Sequence, residues 1–343
     1  MSNTQTNNSS VVEKVHLRRE GKIAILELDN PNGGFLTGNM QKEINRLTLE
    51  LESDETVRVV ILTGKLPNTF VTHYSPFELA SISSVVRGIT SDKKLAKLRN
   101  QTTFMTRLVY RISRYPKLFG WLDKRLQNGD LGPLFLGAKI NTMQTRWQHS
   151  SKVYIAAING YAMGGGCEMS MACDFRLMAR GEGVIGLPES ISGIIPGSGG
   201  TQRMSRLLGA SKAIEMILTG SMLDADEAEK IGLVNHAVDA DKLMDEVMAL
   251  AKQMAGQPPL SIQGVKRAIH VGIQLPLEQG IAVEAHHFMH SIISRDSVAL
   301  NGCYLERLKE SVGYDEFPTE AGSIAKATFA EFSTGTSVET SGK

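Results

Sequence analysis

Residues 158–168 read INGYAMGGGCE, in which an apolar run ends at three consecutive glycines and a helix-forming segment follows. The run begins at residue 152 as KVYIAAIN, and its apolar, β-branched character predicts a buried strand. We expect a helix from Ala162 through Met171. A strand that ends in glycines and opens a helix leaves backbone N–H groups free at the positive end of the helix dipole, a site for an anion or a developing oxyanion. Glu168 lies in the first turns of this helix and so places a carboxylate beside that site.

A second acidic residue precedes a second glycine-rich loop. Leu187, Pro188 and Glu189 are followed at residues 193–203 by GIIPGSGGTQR, which predicts a loop that leads into a helix. Glu168 and Glu189 are 21 residues apart in the sequence. A pair of carboxylates that face each other across a pocket is suited to general acid and base catalysis.

The segments around these loops alternate between strand and helix patterns. Residues 22–28, 57–62 and 174–178 are short apolar runs typical of buried strands, and residues 39–52 place apolar side chains at helical spacing. This alternation predicts an α/β fold with a mostly buried sheet. From residue 200 onward the helical pattern dominates, with predicted helices at 201–208, 211–218, 225–231, 243–254, 261–271, 280–294 and 298–312 and a short strand at 234–238.

The composition is that of a globular protein. Of the 343 residues, 42% are hydrophobic and 21% are charged, which excludes the collagen-like and disordered classes. The three cysteines, Cys167, Cys173 and Cys303, suit neither a disulfide framework nor a metal site. No run of about 18 uncharged apolar residues is present. We therefore expect a cytoplasmic protein without a secretory leader.

The net charge of +1 is the sum of two unlike parts. Between Arg87 and Lys152 there are 14 Lys or Arg residues against three Asp residues, a net charge of +11. The other 23 basic and 33 acidic residues give −10. This basic window, residues 87–152, contains both tryptophans, Trp121 and Trp147, and its residues 93–114 predict an amphipathic helix.

Four ordered segments of the chain resemble the crotonase superfamily, that is, the enoyl-CoA hydratase/isomerase family. They are INGYAMGGGCEMSMACDFRLMA at 158–179, LPESISGIIPGSGGTQRM at 187–204, ILTGSMLDADEAEKIGLVN at 217–235 and SRDSVALNGCYLERLK at 294–309. The resemblance covers most of residues 15–85 and 153–309. It implies an α/β fold, a crotonase-like ββα spiral with a C-terminal helical trimerisation region, assembled as a homotrimer or hexamer. It also implies an acyl thioester of coenzyme A as substrate, with no separate cofactor and no metal.

The resemblance also implies roles for particular residues. Glu168 and Glu189 match the two glutamates that hold and activate water in hydratases, and Tyr74 and Gly165 match the backbone N–H donors of the oxyanion hole. We therefore predict a hydro-lyase of fatty acid metabolism that hydrates a 2-enoyl thioester to the 3-hydroxyacyl thioester. The predicted substrate-binding residues are Thr72, His73, Gly164, Pro188, Lys266 near the coenzyme A phosphates and Tyr304 near the adenine.

One segment at the predicted site departs from the family's pattern. Residues 70–79 read FVTHYSPFEL where family members usually read FSAGADL, so His73 replaces a glycine and Ser75 an aspartate. A glycine there suggests a positive φ, which histidine tolerates less freely. An enoyl-CoA isomerase and an acyl-CoA or β-diketone hydrolase are therefore alternatives to the hydratase.

The basic window is the second departure, because family members span this part of the chain with a few tens of residues fewer. The resemblance implies that this segment lies near the acyl-tail pocket, so an insertion here is expected to reshape or cover the pocket or to offer a docking face. Its charge suits an acyl carrier protein, the phosphates of coenzyme A or an anionic membrane surface, and a solvated pair of helices is the remaining interpretation. No recognition motif accompanies the charge, so a nucleic-acid partner is not expected. The alternative of another class is a non-catalytic module that binds a carrier protein or a membrane surface through this window.

These observations predict a division of the chain into successive segments. Residues 1–12 are a disordered N-terminus, and residues 13–257 are the spiral core. A basic, mostly helical insertion interrupts that core at about residues 87–150. Residues 258–315 form the C-terminal helical region, and residues 316–343 a flexible tail.

Overall fold

A computed structural model of the chain describes residues 13–84, 90–113, 115–126 and 132–311. The predicted disordered N-terminus and flexible tail lie outside the described residues.

The larger of two sheets has six strands in the order β1-β2-β3-β5-β7-β10. β1 pairs antiparallel with β2, and all other neighbours in this sheet are parallel. Both faces of the sheet are covered, which explains why its central strands read as continuous apolar runs. The strands are Lys14–Glu20 (β1), Ile23–Asp29 (β2), Val59–Gly64 (β3), Val153–Ile158 (β5), Phe175–Ala179 (β7) and His236–Val238 (β10).

The smaller sheet has four short strands in the order β4-β6-β8-β9. They are Thr69–Val71 (β4), Tyr161–Met163 (β6), Ile185–Gly186 (β8) and Met222–Leu223 (β9). β6 corrects the prediction of a single helix from Ala162 through Met171. Ala162 pairs with Val71 on one side and Ile185 on the other, so two strands hold this backbone extended and the helix begins only at Gly165.

The described residues contain thirteen α-helices. Capping side chains mark the start of several helices. Thr37 accepts from Met40 N at the start of the helix Gly38–Ser53, and Asp224 and Glu227 form a capping box at the start of the helix Ala225–Lys230. The helices are Gly38–Ser53 (α1), Pro76–Ser84 (α2), Asp92–Ile112 (α3), Pro116–Leu126 (α4), Gly132–Gln148 (α5), Gly165–Met171 (α6), Gly200–Leu208 (α7), Ala210–Thr219 (α8), Ala225–Lys230 (α9), Leu243–Ala255 (α10), Pro259–Gly272 (α11), Leu277–Ile292 (α12) and Arg295–Ser311 (α13).

Successive strands alternate between the two sheets and are followed by helices. β3, β5 and β7 lie in the large sheet, and β4, β6 and β8 follow them in the small one. Helices α2, α6 and α7 follow these pairs in turn. The three ββα units confirm the predicted α/β spiral. Because β4, β6 and β8 are parallel, the segments that follow them emerge at the same end of the small sheet.

The core lies on both faces of the large sheet. Along β2, Ala24 and Leu26 belong to the cluster that faces α1, whereas Ile23 and Ile25 belong to the cluster covered by α10. This alternation is the two-residue period of a strand, here with apolar side chains on both sides.

The basic window divides into two structurally different parts. Helix α5 belongs to the body: Trp147 is fully buried and stacks on Tyr154 at a ring distance of 5.1 Å, and Arg146 donates to Thr48 on α1 at 2.8 Å. Helices α3 and α4 instead pack on α5 through a small cluster that includes Val109 and Phe119. Helix α5, which lies within the predicted insertion at 87–150, thus forms part of the main core.

The C-terminal helices α11, α12 and α13 leave large apolar side chains in contact with solvent. Leu277 is 77% exposed, and Ile281, Phe288 and Ile293 are also exposed. Surfaces of this kind mark contacts with other molecules. Within the ranges that the structure describes, no helix is both long and apolar enough to cross a membrane.

Candidate active site

The turn between β6 and α6 is built on glycines for steric reasons. Gly164 has φ +49°, and a Cβ there would lie 2.9 Å from Glu189 Oε1. A Cβ on Gly166 would lie 2.5 Å from the carbonyl oxygen of Val71. Gly165 is the first residue of α6, so its N–H is one of those that the helix leaves without an internal acceptor.

A second backbone N–H faces this helix end. Leu36 forms a parallel bridge with Tyr74 in which Leu36 N donates to His73 O and Ser75 N donates to Leu36 O, both at 2.9 Å. The bridge uses the carbonyl of His73 and the N–H of Ser75, the residues on either side of Tyr74. The N–H of Tyr74 itself therefore points away from Leu36. A Cβ on Gly165 would lie 3.5 Å from Tyr74 N, so the two amides are close neighbours.

The Tyr74 side chain is held away from these amides. Its hydroxyl donates to Glu78 Oε2, and the two carboxylate oxygens of Glu78 accept from Gly38 N at 3.1 and 3.0 Å. Burial, followed by the contact with Glu78, raises the pKa of the phenol. Tyr74 therefore contributes its backbone rather than its side chain to any chemistry at neutral pH.

Glu168 projects from the first turn of α6 into a buried position, with 3% of the residue exposed. Its Oε1 accepts from Ser198 N at 2.7 Å and from Gly200 N at 3.0 Å. A Cβ on Gly200 would lie 2.8 Å from that oxygen, so glycine is required for the close approach. Burial raises the pKa of Glu168, while the two N–H donors lower it by stabilising the carboxylate. The loop thus favours the ionised form of a buried acid.

Glu189 has the opposite environment. It opens a single 3₁₀ turn, Glu189–Ser192, and its Oε2 is buried without a hydrogen-bond partner among the described residues. Burial, and then repulsion from the negative charge of Glu168, raises the pKa of Glu189 to about 7. The pKa of both glutamates is raised, but only Glu168 has backbone N–H donors that stabilise its carboxylate, so we assign Glu168 as the base and Glu189 as the acid.

These groups line one cavity of about 490 Å³. The cavity brings together seven of the residues that the sequence predicted, namely His73, Tyr74, Gly164, Gly165, Glu168, Pro188 and Glu189. α5 adds two apolar side chains to the cavity lining, Leu136 and Ile140, which the sequence analysis did not single out. The family resemblance predicts that this part of the chain reshapes or covers the pocket, but it does not identify the helix or the side chains that do so.

His73 occupies its position without backbone strain. Among the described non-glycine residues only Asn68 has a positive φ, so the expectation of a left-handed conformation at His73 is wrong. The His73 Nδ1 atom is 2.8 Å from Tyr74 O, and because a carbonyl only accepts, Nδ1 carries the proton and donates. The His73 ring also packs against Phe35 at a ring distance of 4.8 Å.

Three predicted substrate-binding residues do not line the cavity. Thr72 is used in the fold: its hydroxyl donates to Gly33 O at 2.8 Å. The ammonium of Lys266 is buried and donates to Lys152 O and to Asp174 Oδ2, both at 2.7 Å. The prediction that Lys266 meets coenzyme A phosphates is therefore corrected, since its charge is already paired inside the protein. Tyr304 lies on α13, apart from the cavity lining.

Comparison with known proteins agrees with this geometry. The family model described as enoyl-CoA hydratase/isomerase matches residues 133–313. A short-chain-enoyl-CoA hydratase of Clostridioides difficile is 50% identical over 140 residues, which cover 41% of this chain and 89% of that protein. A short-chain-enoyl-CoA hydratase of Clostridium acetobutylicum is 30% identical over 299 residues, 87% of this chain and 97% of that one. Among solved structures, an enoyl-CoA hydratase from Bacillus anthracis superposes with a TM-score of 0.66 at 26% identity, covering 85% of this chain and 96% of the other.

Proposed function

The chain belongs to the enoyl-CoA hydratase/isomerase family, and we propose that it adds water to a 2-enoyl thioester of coenzyme A to give the 3-hydroxyacyl thioester. The observation that carries the proposal is the pair Glu168 and Glu189 on one cavity, beside the neighbouring N–H groups of Tyr74 and Gly165. Coenzyme A is part of the thioester substrate, and the proposed reaction needs no further cofactor.

In this reaction the N–H groups of Tyr74 and Gly165 bind the thioester oxygen. Conjugate addition moves the electrons of the C2=C3 bond toward that oxygen, so the two donors stabilise an enolate that forms only as the reaction proceeds. Each such donor is worth about 3 kcal/mol of the barrier. Backbone donors suit this role because the bridge between Leu36 and Tyr74, and the position of Gly165 at the start of α6, fix their directions before substrate arrives.

Glu168 and Glu189 carry the two proton transfers. The Glu168 carboxylate, stabilised by Ser198 N and Gly200 N, removes a proton from water as the water oxygen bonds to C3. Glu189, whose pKa is raised to about 7 so that part of it is still protonated at neutral pH, gives its proton to C2. At the end of one turnover Glu168 is protonated and Glu189 is ionised, and exchange with solvent restores the starting state.

The test is the replacement of each glutamate by its amide. In Glu168→Gln the Oε1 atom still accepts both loop N–H groups, so the site keeps its shape and loses only the base. We expect kcat for 2-enoyl-CoA hydration to fall by about 10²–10⁴ in Glu168→Gln and in Glu189→Gln. The matched control is Glu182→Gln, an exposed glutamate outside the cavity. Wild-type rates in both cavity variants would contradict the mechanism.

Isomerisation of a 3-enoyl thioester is the second candidate, favoured by the position of Glu189 with its unpartnered oxygen. A double-bond shift needs one carboxylate to move a proton, whereas hydration needs two. Glu168→Gln therefore separates the two reactions. If that variant still converts 3-enoyl to 2-enoyl thioester at the wild-type rate while hydration is lost, the isomerase function is present as well.

The assembly that we propose is a homotrimer formed through α11, α12 and α13. The exposed apolar side chains of these helices, among them Leu277 and Ile293, support the proposal because such side chains are covered in stable assemblies. Sedimentation at micromolar protein should give three times the chain mass. A monomer at that concentration would contradict the proposal.

A further inference from the structure

A second cavity of about 580 Å³ lies between α3, α5, α7 and α11. Its lining includes two arginines, Arg203 and Arg206, and two histidines, His149 and His270, while none of the described residues that line it is acidic. It shares no lining residue with the catalytic cavity. The two cavities are separated by the loop that opens α7, with Ser198 on the catalytic side and Gly199 on the other.

The two arginines bring positive charge to a cavity whose described lining contains no carboxylate. Arg203 Nη1 donates to Gln144 Oε1 at 2.7 Å and to Ser198 O at 2.9 Å. Arg206 Nη1 donates to the backbone and side-chain oxygens of Gln202 at 2.8 and 3.2 Å. Among the described residues neither guanidinium forms an ion pair, although Glu168 attracts Arg203 from the far side of the loop. Like charges one helical turn apart repel, so the arrangement favours a bound anion.

The two histidines of the cavity are partly buried and lie near positive side chains. Burial, and then the positive charges of Arg267 and Lys266, lowers the pKa of His149. Burial, and then His149, Lys266 and Arg203, lowers the pKa of His270 to about 4. Both rings are therefore neutral at pH 7, and each offers one N–H donor at a ring separation of 6.2 Å.

We propose that this cavity binds a small phosphate-class dianion, such as inorganic phosphate or a phosphate monoester, separately from the thioester substrate. The donors lie on different elements, with guanidinium groups on α7, imidazoles on α11 and after α5, and amides such as Gln148 on α5. A tetrahedral anion presents oxygens in several directions and can meet them together, whereas one planar carboxylate is satisfied by a single guanidinium. Because α3 and α5 supply part of the wall, the site depends on the basic window.

Titration calorimetry of the full chain with inorganic phosphate, in a buffer free of other multivalent anions, tests the proposal. Arg206 is exposed and holds only Gln202, so Arg206→Glu and the milder Arg206→Gln should fold. The matched control is Lys212→Glu, which makes the same change in net charge at an exposed site on α8 outside the cavity. We expect phosphate to bind the wild type and Lys212→Glu alike, and Arg206→Glu at least about tenfold more weakly.

A second measurement separates this site from the substrate's own phosphates. Phosphate should bind equally well when coenzyme A is present at saturation, and it should raise the pKa of His270 in a histidine NMR titration because a nearby anion stabilises the imidazolium. Absence of phosphate binding to the wild type would overturn the proposal. So would an equal loss in Lys212→Glu and Arg206→Glu, which indicates general charge attraction, or displacement of phosphate by coenzyme A.

Discussion

The proton on Glu189 sets an upper pH limit for hydration. Burial, together with the negative charge of Glu168, raises the pKa of Glu189 from 4.5 to about 7. As the proposed acid, Glu189 acts only in its protonated form, so kcat/KM is lost as the pH rises through that value. Above pH 7 the protonated fraction, and with it the rate, falls about tenfold per pH unit.

The assay is kcat/KM for a 2-enoyl thioester across the range from about pH 5 to about pH 9. We expect half of the maximal value near pH 7 and about one-hundredth of it two pH units higher. A glutamate with the ordinary pKa of 4.5 would already have lost its proton, and the enzyme its activity, at neutral pH. The control variant Glu182→Gln should keep the wild-type profile, since that residue lies outside the cavity.

Two results would refute this reasoning. A rate that stays constant through about pH 9 would mean that hydration does not need the protonated form. A rate that rises with pH across neutrality would make Glu189 the base and Glu168 the acid, which reverses the assignment. The fall must also belong to Glu189: if the residual activity of Glu189→Gln declines at the same pH, another group is responsible.

Gly164→Ala should lower kcat strongly, because its Cβ would lie 2.9 Å from Glu189 Oε1 on a backbone with φ +49°; steady-state kinetics beside a thermal unfolding curve will show whether activity falls more than stability. Lys266→Ala should lower the free energy of unfolding by about 3 kcal/mol, since it leaves a buried carboxylate without its cation, and urea unfolding measures this. Trp147→Ala should cost about 3–5 kcal/mol in the same measurement because the side chain is fully buried. Deletion of residues 92–126 should keep kcat within about tenfold of the wild type, because no described residue of that segment lines the catalytic cavity, and a rate lost in a folded deletion variant would contradict this.

The parts of the site that could be predicted are those that local sequence determines. The glycines at 164–166 indicated the tight turn beside the site, because a turn with so little room needs glycine whatever the rest of the fold, although the predicted helix began too early, at Ala162. Glu168 and Glu189 could be chosen for the same reason, since each stands beside such a turn. Their different hydrogen bonding could not be predicted, because it depends on Ser198 N and Gly200 N reaching the carboxylate of Glu168 and not that of Glu189.

The predictions that failed depend on contacts distant in sequence. Ala162 follows a helix-like pattern, yet pairing with Val71 and Ile185 makes it a strand. Lys266 resembles a surface cation on an amphipathic helix, and only the approach of Asp174 in the folded protein accounts for its burial. In both cases a partner roughly 20 to 90 residues away decides the outcome, and the local pattern contains no information about it.

The basic window shows how one stretch of sequence divides when it folds. Residues 92–126 contain ten basic and two acidic residues, whereas α5 contains only Lys139 and Arg146 as charged residues. The distribution follows from solvation, because a helix that packs into the core cannot place many charges in a medium of low polarity, whereas α3 and α4 face water along most of their length. Most of the charge of the basic window therefore lies on α3 and α4, which pack outside α5, whereas the neighbouring helix α5 contributes Leu136 and Ile140 to the wall of the catalytic cavity.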